Sequence, residues 1–186
     1  MPPLMRKIFW FINRYFMVPM FRLGLGAFFG NPFTGYIMVM KPVGRKTGLV
    51  RFAPVNYAIQ SGCVYCMSGS RDSSDWFRNI CANPQLELIL PGGAIYARAE
   101  EVSDPGEKLV IARRVLQNAG FAGFFEGYNP YQFSDAELQT KIADLPVLRF
   151  QPLGLGSGAF DAGGWAWIWA FVITVILLIW LASKSV

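Results

Sequence analysis

Residues 85–102 read QLELILPGGAIYARAEEV, and this stretch carries the fold. Two runs rich in β-formers flank Gly92-Gly93, the residue pair that a tight hairpin needs. We therefore expect strands at Gln85–Leu90 and Ala94–Val102. Working outward, the same grammar of short apolar runs punctuated by Gly and Pro predicts strands at Gly35–Pro42, Leu49–Gln60, Cys63–Ser68 and Pro146–Gln151, with a second hairpin turn at Ser61-Gly62. Two helices interrupt them. Ser73-Ser74-Asp75 caps one that runs to about Ala82 and stops at Asn83-Pro84; Asp104-Pro105 opens another through Leu109, Ile111, Ala112, Val115 and Leu116 to Gly120. A short helix follows Ser134, and 121–140 is an aromatic, Gly-interrupted segment suited to covering a ligand. Strands joined mainly by hairpins point to an antiparallel sheet closed into a small barrel with peripheral helices, an α+β fold rather than βαβ units.

The ends of the chain have a different composition. Over its 186 residues the protein is 53% hydrophobic and only 16% charged, more apolar than an ordinary globular domain. The uncharged stretch 162–183, with Trp165, Trp167, Trp169 and Trp180, predicts a C-terminal transmembrane helix: its 22 positions reach about 33 Å against a hydrocarbon core of ~30 Å. The Gly-rich residues 153–161 read as its linker, 31–152 as the barrel domain and 1–30 as an N-terminal helical element. No cleavable signal peptide is evident there, so the expected topology is a single-pass C-terminal anchor with the main domain cytoplasmic. Leu4–Leu23 combines Arg6, Lys7, Arg14 and Arg22 with Ile8, Trp10, Phe11, Tyr15, Phe16 and Phe21. A helix lying in the lipid headgroup region and a helix packed over its own domain both satisfy this pattern.

Charge is unevenly distributed. The net charge is +5, and no Asp or Glu precedes Asp72, while nine Lys and Arg do. Three of the nine cluster in Gly44-Arg45-Lys46-Thr47-Gly48-Leu49-Val50-Arg51. Placed in a turn between two strands, Arg45, Lys46 and Arg51 converge on an anion, with Thr47 and backbone amides as further donors. A solvated basic hairpin tip has the same spacing. Nucleic acid is not the expected partner, because the basic residues are interleaved with membrane-type apolar segments.

Several chemistries are excluded. The chain contains no histidine, which removes His-dependent nucleophilic triads and His-ligated haem or zinc. Cys63-Val64-Tyr65-Cys66 spells C-x-x-C, but in a strand residues three apart point to opposite faces, so neither a metal nor a redox pair is expected. Gly24-Leu25-Gly26-Ala27-Phe28-Phe29-Gly30 misses the dinucleotide fingerprint by one residue.

Three ordered blocks then resemble a known family. They are Gly44-Arg45-Lys46-Thr47-Gly48-x-x-Arg51-x-x-Pro54-Val55-x-Tyr57, Tyr65-x-x-Ser68-Gly69, and Ser74-Asp75-Trp76-x-Arg78-Asn79-x-x-Ala82-Asn83-Pro84. With the lead-in Asn31-Pro32-x-Thr34-Gly35 they resemble the deazaflavin-dependent nitroreductases over roughly residues 11–152. The resemblance implies a split β-barrel of flavin-reductase type and a coenzyme, F-420, whose tail carries a phosphodiester and several glutamate carboxylates. It implies that Arg45, Lys46, Thr47 and Arg51 hold the phosphate and tail, that Ser68, Gly69 and Ser70 meet the cofactor near its ring, and that Trp76 packs beside the ring or stays a core aromatic. Arg78-Asn79 and Asn83-Pro84 read as structural, Asn79 tying its helix to neighbouring backbone. Gly69-Ser70-Arg71-Asp72-Ser73-Ser74 departs from the Lys-Gly-Gly stretch of some members. The implied reaction is hydride transfer from the reduced deazaflavin to a quinone or nitro-type acceptor, with Tyr128 and Tyr131 as hydroxyl donors to the acceptor or as packing in a lid. FMN in the same site, and a non-catalytic subunit with membrane-protein partners, are the competing expectations; contact with membrane lipid is common to these readings.

Overall fold

The computed structural model describes residues 3–71, 73–120, 131–157 and 166–184. Its centre is a closed six-stranded barrel: β1 (Ile37–Lys41), β2 (Ala53–Gln60), β3 (Cys63–Met67), β4 (Gln85–Leu90), β5 (Gly93–Glu101) and β6 (Val147–Leu155). The order around the barrel is β1-β2-β3-β6-β5-β4, every pairing is antiparallel, and β4 closes back on β1 with Val39 opposite Ile89 and Met40 opposite Leu88. The β2–β3 hairpin turns at Ser61 and Gly62, both at positive φ, the backbone of the two-residue turn that matches strand twist.

Alternation along the strands sorts two faces. Met38, Met40, Cys66, Leu86, Leu88, Leu148 and Phe150 fill the barrel interior. Val39 and Ile89 face outward and are covered by Met17 and Phe21 of the N-terminal segment. On another outer face Ala58, Tyr65 and Val147 pack against Ile111, Ala112, Val115 and Leu116 of α4 (Pro105–Gln117), with Leu138 and Ile142 of α5 (Asp135–Ile142) closing that layer. Asp104 caps α4 by accepting from the Glu107 amide at 2.6 Å, and Ser134 with Glu137 forms a capping box on α5. Cys63 belongs to the outer layer and Cys66 to the interior, as the strand period requires.

The N-terminal segment is helical from Pro3 to Arg22: α1 (Pro3–Ile12), a π-helical stretch at Asn13–Met17, and α2 (Val18–Arg22). Pro19 accounts for the irregularity, since it cannot donate and its ring crowds the carbonyl four residues back; the Val18 amide bonds to the Asn13 carbonyl instead. Gly120 sits at φ +57, and a Cβ there would come within 2.5 Å of the Gly35 amide and the Phe33 carbonyl, so the end of α4 meets the approach to β1 only through glycine.

Two expectations are corrected. Strand β6 runs on to Leu155, with Gly154 opposite Tyr96 and Leu155 opposite Ile95, so residues 153–155 extend the sheet and do not belong to a linker. Among the described residues no helix is long and apolar enough to cross a membrane, which overturns the transmembrane helix expected at 162–183. The described helix α6 is Ala166–Lys184. Its last turn carries Lys184, whose ammonium lies 4.2 Å from the Trp180 ring centroid.

Candidate cofactor cleft

The basic stretch forms a compact turn between β1 and β2. The Gly44 amide donates to the Leu49 carbonyl at 2.8 Å and the Gly48 amide to the Gly44 carbonyl at 2.8 Å, while Val43 bridges Val50. Gly48 is at φ +68, and a Cβ on Gly44 would stand 2.9 Å from Thr47 Oγ1 and 3.1 Å from the Leu49 carbonyl. Both glycines are therefore required for a turn this tight. Arg51 donates through Nη2 to Thr47 Oγ1 at 3.3 Å.

Arg45 points elsewhere. Its backbone amide and Nη1 both donate to Asn79 Oδ1, at 3.1 and 2.9 Å, and Nη2 reaches Asp75 Oδ1 at 3.2 Å. Asn79 is buried on α3 (Asp75–Ala82). The turn is thus tied to α3 through Asn79, which is the structural part expected of that residue. Asp75 also accepts from Arg78 at 2.8 Å; the bond from Arg45 and the charge of Arg78 hold its carboxyl below the usual range.

Ser68 is fully buried at the end of β3, its hydroxyl 2.7 Å from the Ser70 carbonyl and 2.9 Å from Ser74 Oγ. It latches the β3–α3 loop. Ser74 consequently stands at the N-cap position of α3 without capping it. Gly69 and Ser70 lie on the loop surface beside this latch, and Trp76 is half-buried, edge-on to Phe77 at 6.2 Å.

These pieces border one cleft of about 1920 Å³, larger than a typical drug-sized pocket of ~300–1,000 Å³. Arg45, Lys46, Thr47, Arg51, Gly69, Ser70 and Trp76 all line it. Ser68 does not line it and supports the loop from behind. Tyr131 is 71% exposed and not part of the lining; Tyr128 lies outside the described residues.

The sequence reading missed the cleft's opposite wall. It is the N-terminal helical segment, which contributes Ile8, Trp10, Ile12, Arg14, Phe16 and Arg22. Arg22 stacks on Phe52, the residue after Arg51 in sequence, at 4.8 Å from the ring centroid. The available signal was the four-residue spacing of Met17 and Phe21, which marks the face turned to the barrel.

The lining fits an elongated anion bearing an aromatic head. Among the described residues it contains Arg14, Arg22, Arg45, Lys46 and Arg51 against one carboxylate, Asp75, and that carboxylate is already paired. Apolar surface for a ring comes from Pro54, Val55, Met67 and Trp76. Among the described residues no group of His, Cys, Asp and Glu could hold a metal ion.

Comparison with known proteins follows this chemistry. A solved F-420-H2 dependent reductase (FDR-A) is 22% identical, covering 62% of this chain and 93% of its own, with a TM-score of 0.40. HutZ, the heme storage protein from Vibrio cholerae, is 16% identical over 68% and 88%, with a TM-score of 0.44. Likenesses of this size carry no argument about function. No curated protein matches the chain significantly. The model of the F-420H(2)-dependent quinone reductase family, however, matches residues 18–129, well over half of the chain and all of the cleft's strands and turns from Val18 through α3. The chain belongs to the F-420H(2)-dependent quinone reductase family, and it is an oxidoreductase whose cofactor is the deazaflavin coenzyme F-420.

Proposed function

We propose that the protein reduces a quinone-type acceptor at the mouth of this cleft, using reduced coenzyme F-420, and that it meets the acceptor at a lipid surface. The observation that carries the reading is the two-sided lining: a cationic turn on the barrel side and an aromatic helix on the other. When bound, the coenzyme supplies the hydride. Lys46, Arg51 and Thr47 hold its phosphate and tail by charge-assisted bonds, while Trp76, Pro54 and Val55 border the ring. Arg45 acts indirectly, fixing the turn on α3. The walls then position the acceptor against the ring and exclude water, which is the larger part of what a protein contributes to hydride transfer.

Contact with lipid is supported by Trp10, Phe11, Tyr15 and Phe16, all exposed on the N-terminal segment beside Lys7. An apolar acceptor dissolved in the bilayer would enter along this wall. Nitro compounds of similar shape would use the same approach.

The test is an anaerobic assay of reduced coenzyme with a short-chain quinone, following the return of the oxidised deazaflavin's absorbance. Protein-dependent oxidation that requires the quinone is expected, with Lys46→Ala and Arg51→Ala raising KM for the coenzyme. Absence of both quinone-dependent oxidation and quenching of deazaflavin fluorescence by the protein would overturn the proposal. Cosedimentation with anionic vesicles, lost in Trp10→Ser/Phe11→Ser, tests the lipid contact separately.

A further inference from the structure

The cleft has an order along the β1–β2 hairpin. The cationic turn stands at one end, Pro54 and Val55 come next, and the far end is Asn56 opposite Ile37. From Lys41, beside the turn, to Ile37 is about 13 Å of strand. This far end is apolar: Phe16 packs edge-on against Phe29 at 5.1 Å, and Phe29 and Ile37 belong to the cluster around Met17. Its uncharged polar groups are Asn13, Thr34 and Asn56, all lining the cleft. Thr34 donates its hydroxyl to the Phe29 carbonyl, and Asn56 turns Nδ2 to the Tyr36 carbonyl at 3.4 Å. The half-buried Asn13 side chain makes no hydrogen bond among the described residues. Its place in the chain is unusual too. Phe21 and Met17, four residues apart, face the barrel, and the next position at that spacing is Asn13, where an amide interrupts an apolar stripe. The same residue opens the π-helical stretch, its carbonyl accepting from the Val18 amide, and that stretch packs on β2. A patterning rule broken at a π-helical turn marks a functional position.

We propose that Asn13 receives the acceptor, its Nδ2 donating a hydrogen bond to a carbonyl oxygen of a quinone lying at the apolar end of the cleft. The proposal rests on the quinone reading above and deepens it by naming the group that meets the reducible oxygen. In the two-electron reduction the coenzyme is oxidised and the quinone reduced: hydride arrives with its electron pair, the pair displaced by the new bond settles on a carbonyl oxygen, and a proton from water completes the hydroquinone. Asn13 exchanges no proton. It stabilises the charge that builds on that oxygen, and apolar neighbours make such a bond worth more than in water. Arg14, the next residue, does not compete for this part, because its guanidinium lies over the rings of Trp10 and Tyr15, at 5.3 and 5.8 Å. Asn56 holds the wall opposite, its amide fixed on the Tyr36 carbonyl.

The test compares Asn13→Asp, which keeps the shape and loses the N–H donors, with Asn13→Leu and Asn13→Gln. Each is assayed anaerobically with reduced coenzyme and a short-chain quinone, beside coenzyme affinity by fluorescence quenching and Tm. Asn13→Asp and Asn13→Leu should lower kcat/KM for the quinone about 10–100-fold, the size of one hydrogen bond to a charged group. Most of the loss should fall on kcat, because the bond strengthens as charge develops. Coenzyme affinity should not move. The Tm of Asn13→Leu should hold or rise, since leucine continues the stripe of Met17 and Phe21, and Asn13→Gln, which keeps an amide donor, should recover part of kcat. Full activity of Asn13→Asp would overturn the proposal. So would losses in all three variants that track a fall in Tm or in coenzyme affinity, which would make Asn13 a packing residue of the helix. Either result leaves the quinone reading standing if the wild type reduces the quinone; a wild type that binds coenzyme and reduces no quinone would overturn both.

Discussion

Replacing Asn79 by Ala tests whether Arg45 is a tie or a ligand contact. Asn79 Oδ1 accepts two bonds from Arg45, one from the backbone amide at 3.1 Å and one from Nη1 at 2.9 Å. The amide bond contributes about 1 kcal/mol. The guanidinium bond is charge-assisted, but the Arg45 side chain is 23% exposed and water replaces part of what is lost, leaving roughly another 1 kcal/mol. The expected destabilisation is thus about 2 kcal/mol, or about 4–8 °C in Tm for a chain of this size. Arg45→Ala loses the guanidinium bonds and keeps the amide, so it should cost about half as much. The two changes share an interaction, and a double-mutant cycle should return a coupling of about 1 kcal/mol. The same pair should weaken coenzyme binding to a similar degree and non-additively, because each loosens the same turn. Lys46→Ala, by contrast, should add to either. Thermal melts and fluorescence quenching on the four proteins decide the matter. Additive effects of Arg45→Ala and Asn79→Ala on coenzyme affinity, with no coupling in stability, would show that Arg45 grips the coenzyme itself and that the reasoning is wrong.

Further expectations concern charge, space and reactivity. Glu87, buried on β4, is opposed by desolvation, but its bonds to Lys41 and Ser157 outweigh this and hold its carboxyl below the ordinary value. A carboxyl lowered on folding stabilises above its unfolded pKa and loses that contribution as pH falls through the folded pKa. Glu87→Gln should therefore lower stability at neutral pH by about 1–2 kcal/mol, since it removes the charged acceptor of the Lys41 and Ser157 bonds, and the gap to wild type in denaturant melts should close in acid; a gap independent of pH would contradict this. Gly156→Ala would place a Cβ 2.5 Å from Glu87 Oε1 and should reproduce part of that loss by Tm. Burial pushes the Cys66 thiol far up, so an alkylating agent at neutral pH should label Cys63 and Cys81 by mass spectrometry and reach Cys66 only on unfolding. Early labelling of Cys66 would mean that the barrel interior opens.

Local patterning made the barrel readable, because strand and hairpin signals act over a few residues. Gln85–Leu90 falls where the pattern put it, the opposite facing of Cys63 and Cys66 follows from period two, and Pro84 lies just past the end of α3. The basic turn was equally legible as a cluster. Which cation does what was not: Arg45 and Lys46 are neighbours in sequence, and only the position of Asn79, 34 residues away, turns one of them inward. Ser68 is a similar case, reading as a ligand donor until Ser70 and Ser74 are seen around it. Leu153-Gly154-Leu155 has the composition of a linker and becomes strand because β5 offers an open partner, a tertiary override of propensity. The apolar C-terminal stretch has the composition of a membrane span, but its described helix is Ala166–Lys184 and, among the described residues, no helix is long and apolar enough to cross a membrane.

The position of β6 between β3 and β5 has a bearing on how the protein is made. Strands β1 to β5 can pair in sequence-adjacent hairpins and through β1 with β4 as soon as they are synthesised, but β3 and β5 then each present an open edge with no common partner. Only when the chain has been extended through Leu155 can the last strand enter the gap and join them. Pairings across so many residues form slowly, and unpaired edges are templates for association. A nascent chain halted before Val147 should therefore be the species most prone to aggregate, and the coenzyme's cleft, whose turn and loop both hang from strands of this ring, should acquire its final shape only after that insertion.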